Sequence, residues 1–266
     1  MTAHFHLTVP VAPPAVVTDL PAFVTDVRPS DHASPQRGAA QAAAVAELAG
    51  LGGAFVPFRP DGLDPLVTAA GLLRRTSRVQ VTAELHPATA TPVYAAKLSA
   101  SLQRFHANRL AWLLTVDLEP AVARAHGDFL TGPDRYARAS EFLTVARGVW
   151  NQGGSFSYEG RFFQVLDGGL PDSRSAPRFP RIYLSGTSPE ALALSAEHAD
   201  VHLLQPGDDP ALVPAHVARG VVLSVAEDVD RYLRAGVSEF FLDGTDPVAD
   251  ALRVGEYLLP ELVPAS

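Results

Sequence analysis

Residues 181–204, RIYLSGTSPEALALSAEHADVHLL, read as a strand, a small-residue turn, a helix and a second strand. That order is one complete βαβ unit. Ile182, Tyr183 and Leu184 make an apolar run of strand length, and Ser185-Gly186-Thr187-Ser188 turns the chain before Pro189, a residue suited to the first helical position. The turn therefore ends on a helix N-terminus. Unpaired N–H groups there, the hydroxyls of Thr187 and Ser188, and the close approach that Gly186 permits would suit a phosphate. Taken alone, the turn favours the plainer reading of a capped helix start with no ligand, because Ser and Thr caps are ubiquitous.

Outward from this unit, short β-type runs alternate with helical segments along nearly the whole chain, the pattern of parallel α/β architecture. Strands are expected at 4–9, 54–58, 79–85, 110–116, 182–185, 201–204 and 239–242. Helices are expected at 36–51, 64–74, 92–105, 133–151, 189–198, 225–235 and 247–258, the last opened by Asp246 as N-cap and Pro247. Seven strands are clear. An eight-stranded (β/α) barrel needs one more, at about 250 residues in all. Val221-Val222-Leu223 can supply it only if residues 206–220 provide the preceding helix. Residues 151–180, with Phe156-Ser157-Tyr158 and Arg161-Phe162-Phe163-Gln164-Val165, read as a hairpin insertion turning at Glu159-Gly160. A proline-rich segment occupies 9–35.

At 266 residues and 47% hydrophobic content the chain can bury a substantial core in a single domain spanning 1–266. A net charge of -8 argues against nucleic acid as a partner, since the only basic group, Arg74, Arg75 and Arg78, sits where cations complement a helix end. The absence of cysteine excludes disulfides, thiolate metal sites and a cysteine nucleophile. His198 and His202 are four apart, but a helix-to-strand junction separates them and no carboxylate pattern supports a metal, so no metal site is assigned. No apolar run approaches a membrane span and no leader is recognised, so the expected location is cytoplasmic. The Ala, Val, Leu, Arg and Pro bias suggests a GC-rich bacterial genome.

Four segments, in order, resemble the bacterial-luciferase-like flavin monooxygenases, most closely the alkanesulfonate monooxygenase branch. They are 85–92 (LHPATATP), 135–143 (RYARASEFL), 181–204 and 253–260 (RVGEYLLP). The resemblance implies a TIM-like (β/α)8 barrel. It also implies reduced FMN as cofactor, a flavin reductase as electron source, a small organic substrate, and a homo- or hetero-oligomer. It places the flavin phosphate at Gly186, Thr187 and Ser188, brings Tyr136 or Arg135 from the long helix towards it, and sets His86 near the flavin edge. Against each stands a plainer reading: Arg135 as a surface residue, Tyr136 and His86 as core or satisfied structural residues, Thr89 and Thr91 as caps.

The departures from the branch are pronounced. Its cysteine loop reads Arg59-Pro60-Asp61-Gly62, its last-strand tyrosine is Thr245, and its Arg-and-His strand and mobile loop fall in a stretch shrunk to about twenty residues, a loop-scale connection. The barrel is therefore expected to be abbreviated at its seventh βα unit, and distorted or incompletely closed there. No catalytic residue is assigned. Loss of a lid would favour peroxide release over substrate oxidation. Three functions stay open: a reduced-flavin monooxygenase, a non-catalytic flavin-binding protein or partner subunit, and a deazaflavin-dependent oxidoreductase.

Overall fold

A computed structural model describes residues 3–11, 37–151, 155–170, 178–224 and 229–262. Eight parallel strands close into a barrel. In chain order they are β1 (His4–Thr8), β2 (Gly53–Val56), β3 (Gln80–Leu85), β4 (Leu110–Leu114), then, after a two-stranded hairpin of β5 (Phe156–Glu159) and β6 (Gln164–Gly168), β7 (Arg181–Ser185), β8 (Val201–Leu204), β9 (Ala218–Leu223) and β10 (Val237–Leu242). β1 completes the ring by pairing with both β2 and β10. Most of the proline-rich segment lies outside the described residues, as do the first four residues of the helix expected at 225–235.

The strands are buried on both faces, as parallel strands must be, and the alternation decides which side chain goes where. Phe5 and Leu7 point out to the helix layer, where Phe5 stacks on Phe240 with ring centroids 5.1 Å apart. Leu113, Tyr183, Val201, Leu203 and Phe241 point in and form a separate core. His6 also points in, stacked on Phe241 at 4.5 Å, and it fits because Gly53 is opposite: a Cβ there would lie 2.1 Å from the ring.

The helix layer consists of α1 (Arg37–Leu48), α2 (Pro65–Arg75), α3 (Pro92–Phe105), α4 (Pro120–Ala125), α5 (Pro133–Asn151), α6 (Pro189–His198), α7 (Val229–Arg234), α8 (Pro247–Arg253) and α9 (Leu259–Leu262), with a π-helical turn at Val254–Leu258. Five of these helices begin with a side-chain acceptor followed by proline: Asp64, Thr91, Glu119, Ser188 and Asp246 each accept an N–H of the first turn. Such starts follow the strands directly, so the helix N-termini gather at the C-terminal end of the barrel. The hairpin docks on α5 through Gly148, where a Cβ would meet the Phe156 ring at 2.1 Å, and through the Glu141 carboxylate. That carboxylate accepts the N–H groups of Arg161, Phe162 and Phe163 at 2.8, 2.8 and 3.1 Å. The hairpin turn thus spans residues 160–163, closed by Gly160 N–H donating to the Phe163 carbonyl, rather than turning at Glu159-Gly160.

The sheet is not open at the shortened region, which corrects the expectation of incomplete closure. β9 is six residues long and pairs with β8 and β10, shifting register once between Val237 and Glu239. The abbreviation is in the helix layer: between β8 and β9 the chain forms only the 3-10 turn Pro210–Leu212. The condition that residues 206–220 supply a helix fails because strand pairing needs only a connection long enough to return to the start of the sheet. Gly220 also helps by facing inward, where a Cβ would lie 2.5 Å from Leu203.

Candidate functional site at the barrel mouth

The turn after β7 is shaped by Gly186, whose φ of +107° is open to glycine and strained for other residues. A Cβ there would sit 3.0 Å from the Ala191 Cβ and 3.8 Å from the Tyr136 hydroxyl. Ser188 caps α6 by accepting the Ala191 N–H at 3.1 Å, and Gly186 and Thr187 face solvent. The N-terminus of a ten-residue helix therefore opens outward beside a phenol.

Tyr136 enters from the first turn of α5. Its hydroxyl donates to Asp117 Oδ2 and also lies in hydrogen-bonding reach of Ser188. Burial and the Asp117 carboxylate push its pKa up, so the phenol keeps its proton and remains a donor at neutral pH. Arg135 is anchored by Nε–H donating to the Leu130 carbonyl at 2.7 Å, and one terminal nitrogen lies 3.8 Å from Asp117 Oδ1. The structure thus brings together Gly186, Ser188, Tyr136 and, through Asp117, Arg135. Asp117 follows β4 and was not among the residues singled out from the sequence.

His86 makes none of its hydrogen bonds to this turn. Its Nδ1 accepts the Ala88 N–H at 3.2 Å, and Nε2 lies 3.5 Å from Asp128 Oδ2 without forming a hydrogen bond. Burial, with the Arg138 charge behind it, lowers the imidazole pKa and keeps the ring neutral at pH 7. Burial raises the Asp128 carboxyl, but the paired Arg138 guanidinium, at 2.9 and 2.7 Å, outweighs it and holds the pKa below the usual value. His86 instead lines a cavity of about 460 Å³ between α2 and α3, with Leu85, Thr89, Tyr94 and Phe142. The Thr89 hydroxyl donates to the His86 carbonyl, and Thr91 caps α3, so both threonines act locally. His198 bonds Ser140 at 2.9 Å and His202 bonds Ser195 at 2.8 Å. Among the described residues no cluster of three or more His, Asp or Glu side chains is placed to hold a metal ion.

Two carboxyls that sequence reading passed over line the barrel interior, Glu84 half-buried and Glu239 buried. Glu84, near the C-terminal end of β3, accepts the Phe58 N–H at 2.7 Å and the Thr115 hydroxyl at 2.5 Å. Burial raises its pKa, partly offset by those donors and by Arg59. Deeper, Glu239 accepts from His6 Nε2 at 2.7 Å and the Tyr183 hydroxyl at 3.0 Å, and pairs with Arg181 at 2.7 Å. Parity was the available signal for Glu84: along β3 the polar Gln80, Thr82 and Glu84 alternate with the apolar Val81, Ala83 and Leu85, so one face had to be a polar interior. A cavity of about 410 Å³ lies at the ends of β1, β2 and β10, lined by Thr8, Pro57, Arg59, Asp243 and Thr245 among others.

The luciferase-like monooxygenase family matches residues 22–220, more than half of the sequence. The chain belongs to the luciferase-like monooxygenase family. Among solved structures, EDTA monooxygenase from Chelativorans sp. BNC1 is 19% identical over 88% of this chain and 68% of its own, with a TM-score of 0.65. The long-chain alkane monooxygenase LadA is 13% identical over 98% of this chain and 91% of its own, at 0.75. An F420-dependent secondary alcohol dehydrogenase, solved with an F420-acetone adduct, is 13% identical over 99% and 100%, also at 0.75. At these identities the likeness is one of fold. The family's barrel is retained although the crossover from β8 to β9 carries no α-helix. Among the described residues, no helix is long and apolar enough to cross a membrane.

Proposed function

We propose that this protein is a reduced-flavin-dependent monooxygenase acting on a small organic substrate, with the phosphate of FMN at Gly186, Thr187 and Ser188. The observation that carries the reading is the glycine-shaped turn at the α6 N-terminus, met by the Tyr136 phenol. The residues present fit the group: Gly186 and Thr187 are exposed, so the backbone of the turn can be approached closely, and Ser188, Thr187 and, once released from Asp117, Tyr136 supply hydroxyl donors. Bound reduced flavin supplies the chemistry with oxygen, and the protein supplies binding, orientation and exclusion of water. Here α6 and α5 hold the phosphate end, while the inward core of Phe55, Leu203 and Phe241 seals the barrel beneath the mouth. The short crossover beside Gln205 leaves that side of the mouth to be covered by another part of the assembly, for which a second subunit is the proposed cover. A flavin reductase is the proposed source of reduced cofactor, in the cytoplasm.

The test is a titration of the purified protein with oxidised and reduced FMN, followed by oxygen uptake and peroxide measurement. Saturable binding with peroxide as the main product indicates an uncovered site. Binding without any oxygen uptake would favour a non-catalytic flavin carrier. A deazaflavin-dependent oxidoreductase is the second reading, because the same fold serves an F420-dependent alcohol dehydrogenase over its full length. Parallel titration with F420 decides between them.

A further inference from the structure

We propose that Asp117 tunes this site against highly charged headgroups, acting as an internal anion that holds the donors a flavin phosphate would use. The proposal rests on the placement of the phosphate given above. Tyr136 donates its proton to Asp117 rather than leaving it free for a ligand, and the Arg135 guanidinium lies 3.8 Å from the other carboxylate oxygen. These two residues are the side-chain donors that α5 brings to the turn, and one carboxylate engages both. Arg135 is more enclosed than Asp117. The Arg135 side chain is 14% exposed and pinned to Leu130, whereas the Asp117 side chain is 62% exposed and can turn into water. A phosphate entering the turn would therefore displace Asp117 and leave its negative charge beside a group carrying about −1.5 to −2 at neutral pH. Glu190, in the first turn of α6, also acts electrostatically on Tyr136 and adds to the negative field. A flavin without a phosphate meets no such opposition.

The experiment titrates wild type, D117N and D117S with FMN and with riboflavin, following flavin fluorescence at low and high salt. Asparagine keeps an acceptor for the Tyr136 hydroxyl and removes the charge, and serine serves if one variant folds poorly. FMN should bind the variants about tenfold more tightly at low salt, the scale of one solvent-screened like charge a few ångströms from a phosphate. Riboflavin affinity should stay unchanged, and the gain for FMN should shrink at high salt. A selective loss of FMN affinity in D117N would overturn the proposal, because it would make Asp117 a residue that positions Tyr136 for the phosphate. An equal change for both flavins would also overturn it, since the effect would not depend on headgroup charge. If wild type binds FMN and riboflavin equally and G186V alters neither, the phosphate site itself fails. That result is distinct from a phosphate-dependent affinity that ignores Asp117.

Discussion

Replacing Gly186 by valine should weaken FMN binding far more than replacing Ser188 by alanine, although Ser188 makes the visible cap. At Gly186 the φ of +107° resists a β-branched side chain, with strain of about 1–3 kcal/mol. The added Cβ would also press on Ala191 at 3.0 Å. The turn must rotate to relieve both, which re-aims the N–H groups proposed to meet the phosphate. Losing one hydrogen bond to a charged phosphate costs about 1.5–3 kcal/mol, or roughly 10- to 150-fold in affinity. Ser188→Ala removes one hydroxyl donor, so its loss is capped at that same one-bond cost, whereas a rotated turn misdirects several N–H groups at once. It also acts on the helix, where loss of an N-cap costs about 1 kcal/mol and lowers the thermal midpoint by roughly 2–4 °C in a domain of this size. Fluorescence titration with FMN, beside thermal midpoints of the ligand-free proteins, separates the two effects. Unchanged affinity in both variants, or a greater loss in Ser188→Ala, would refute a backbone cradle at this turn.

Glu239→Gln should lower the thermal midpoint by about 6–20 °C, because breaking a buried pair costs about 3–5 kcal/mol, and a shift within experimental error would mean that His6, Tyr183 and Arg181 are satisfied without the charge. Burial raises the Glu239 carboxyl, but His6, Arg181 and Tyr183 together bring it below the usual value. Its stabilisation is thus present above the ordinary glutamate pKa and lost as pH falls through the lowered folded value, so the variant should show a shallower acid limb in midpoint against pH. Glu84 has the opposite sign. Its raised folded pKa gives stability that is complete below the unfolded pKa and lost as pH rises through the folded one. Glu84→Gln should therefore gain on wild type from acid to neutral pH in the same scan, and parallel curves would count against a carboxyl held away from water at this position. Gly53→Ala should destabilise by about 1–3 kcal/mol through the clash with His6, read by urea denaturation, whereas a neutral result would mean that the ring rotates away freely.

The βαβ unit at 181–204 was legible because its signals are local. An apolar strand, Ser188-Pro189 and a second apolar strand fix β7, α6 and β8 without knowledge of the rest. The helices α3 and α5 were equally plain, each opened by proline and each long enough for its pattern to repeat. The short α4 was missed although Glu119-Pro120 marks its start, since six residues give no repeat to read. The front half of β9 was hidden by Arg219 and Gly220, which look like breakers in isolation. In the barrel Gly220 yields its space to Leu203 and Arg219 turns outward to bond the Pro210 carbonyl at 2.9 Å. The turn, Tyr136 and Arg135 were readable as candidates, but Asp117 was not. Its contact with Tyr136 depends on the end of β4 meeting the start of α5, which no local pattern encodes.

The shortened β8 to β9 connection bears on function because it costs the barrel so little. A helix at that point would normally cover the outward faces of the two strands, and here those faces stay buried without one: His202, Leu204, Val221 and Leu223 are at most 1% exposed. The loop does the covering through Val213 and Val217, with Arg219 tying the strand to the 3-10 turn. The inward faces depend even less on it, since Val201, Leu203 and Phe241 pack on one another and Glu239 is satisfied by β1 and β7. A change that leaves both faces of the sheet intact acts where the connection begins, at Gln205 on the mouth. Any effect of the short connection on the proposed activity should therefore arise in what covers the mouth, because the turn after β7 is set by β7 and α6 and takes no part in that connection.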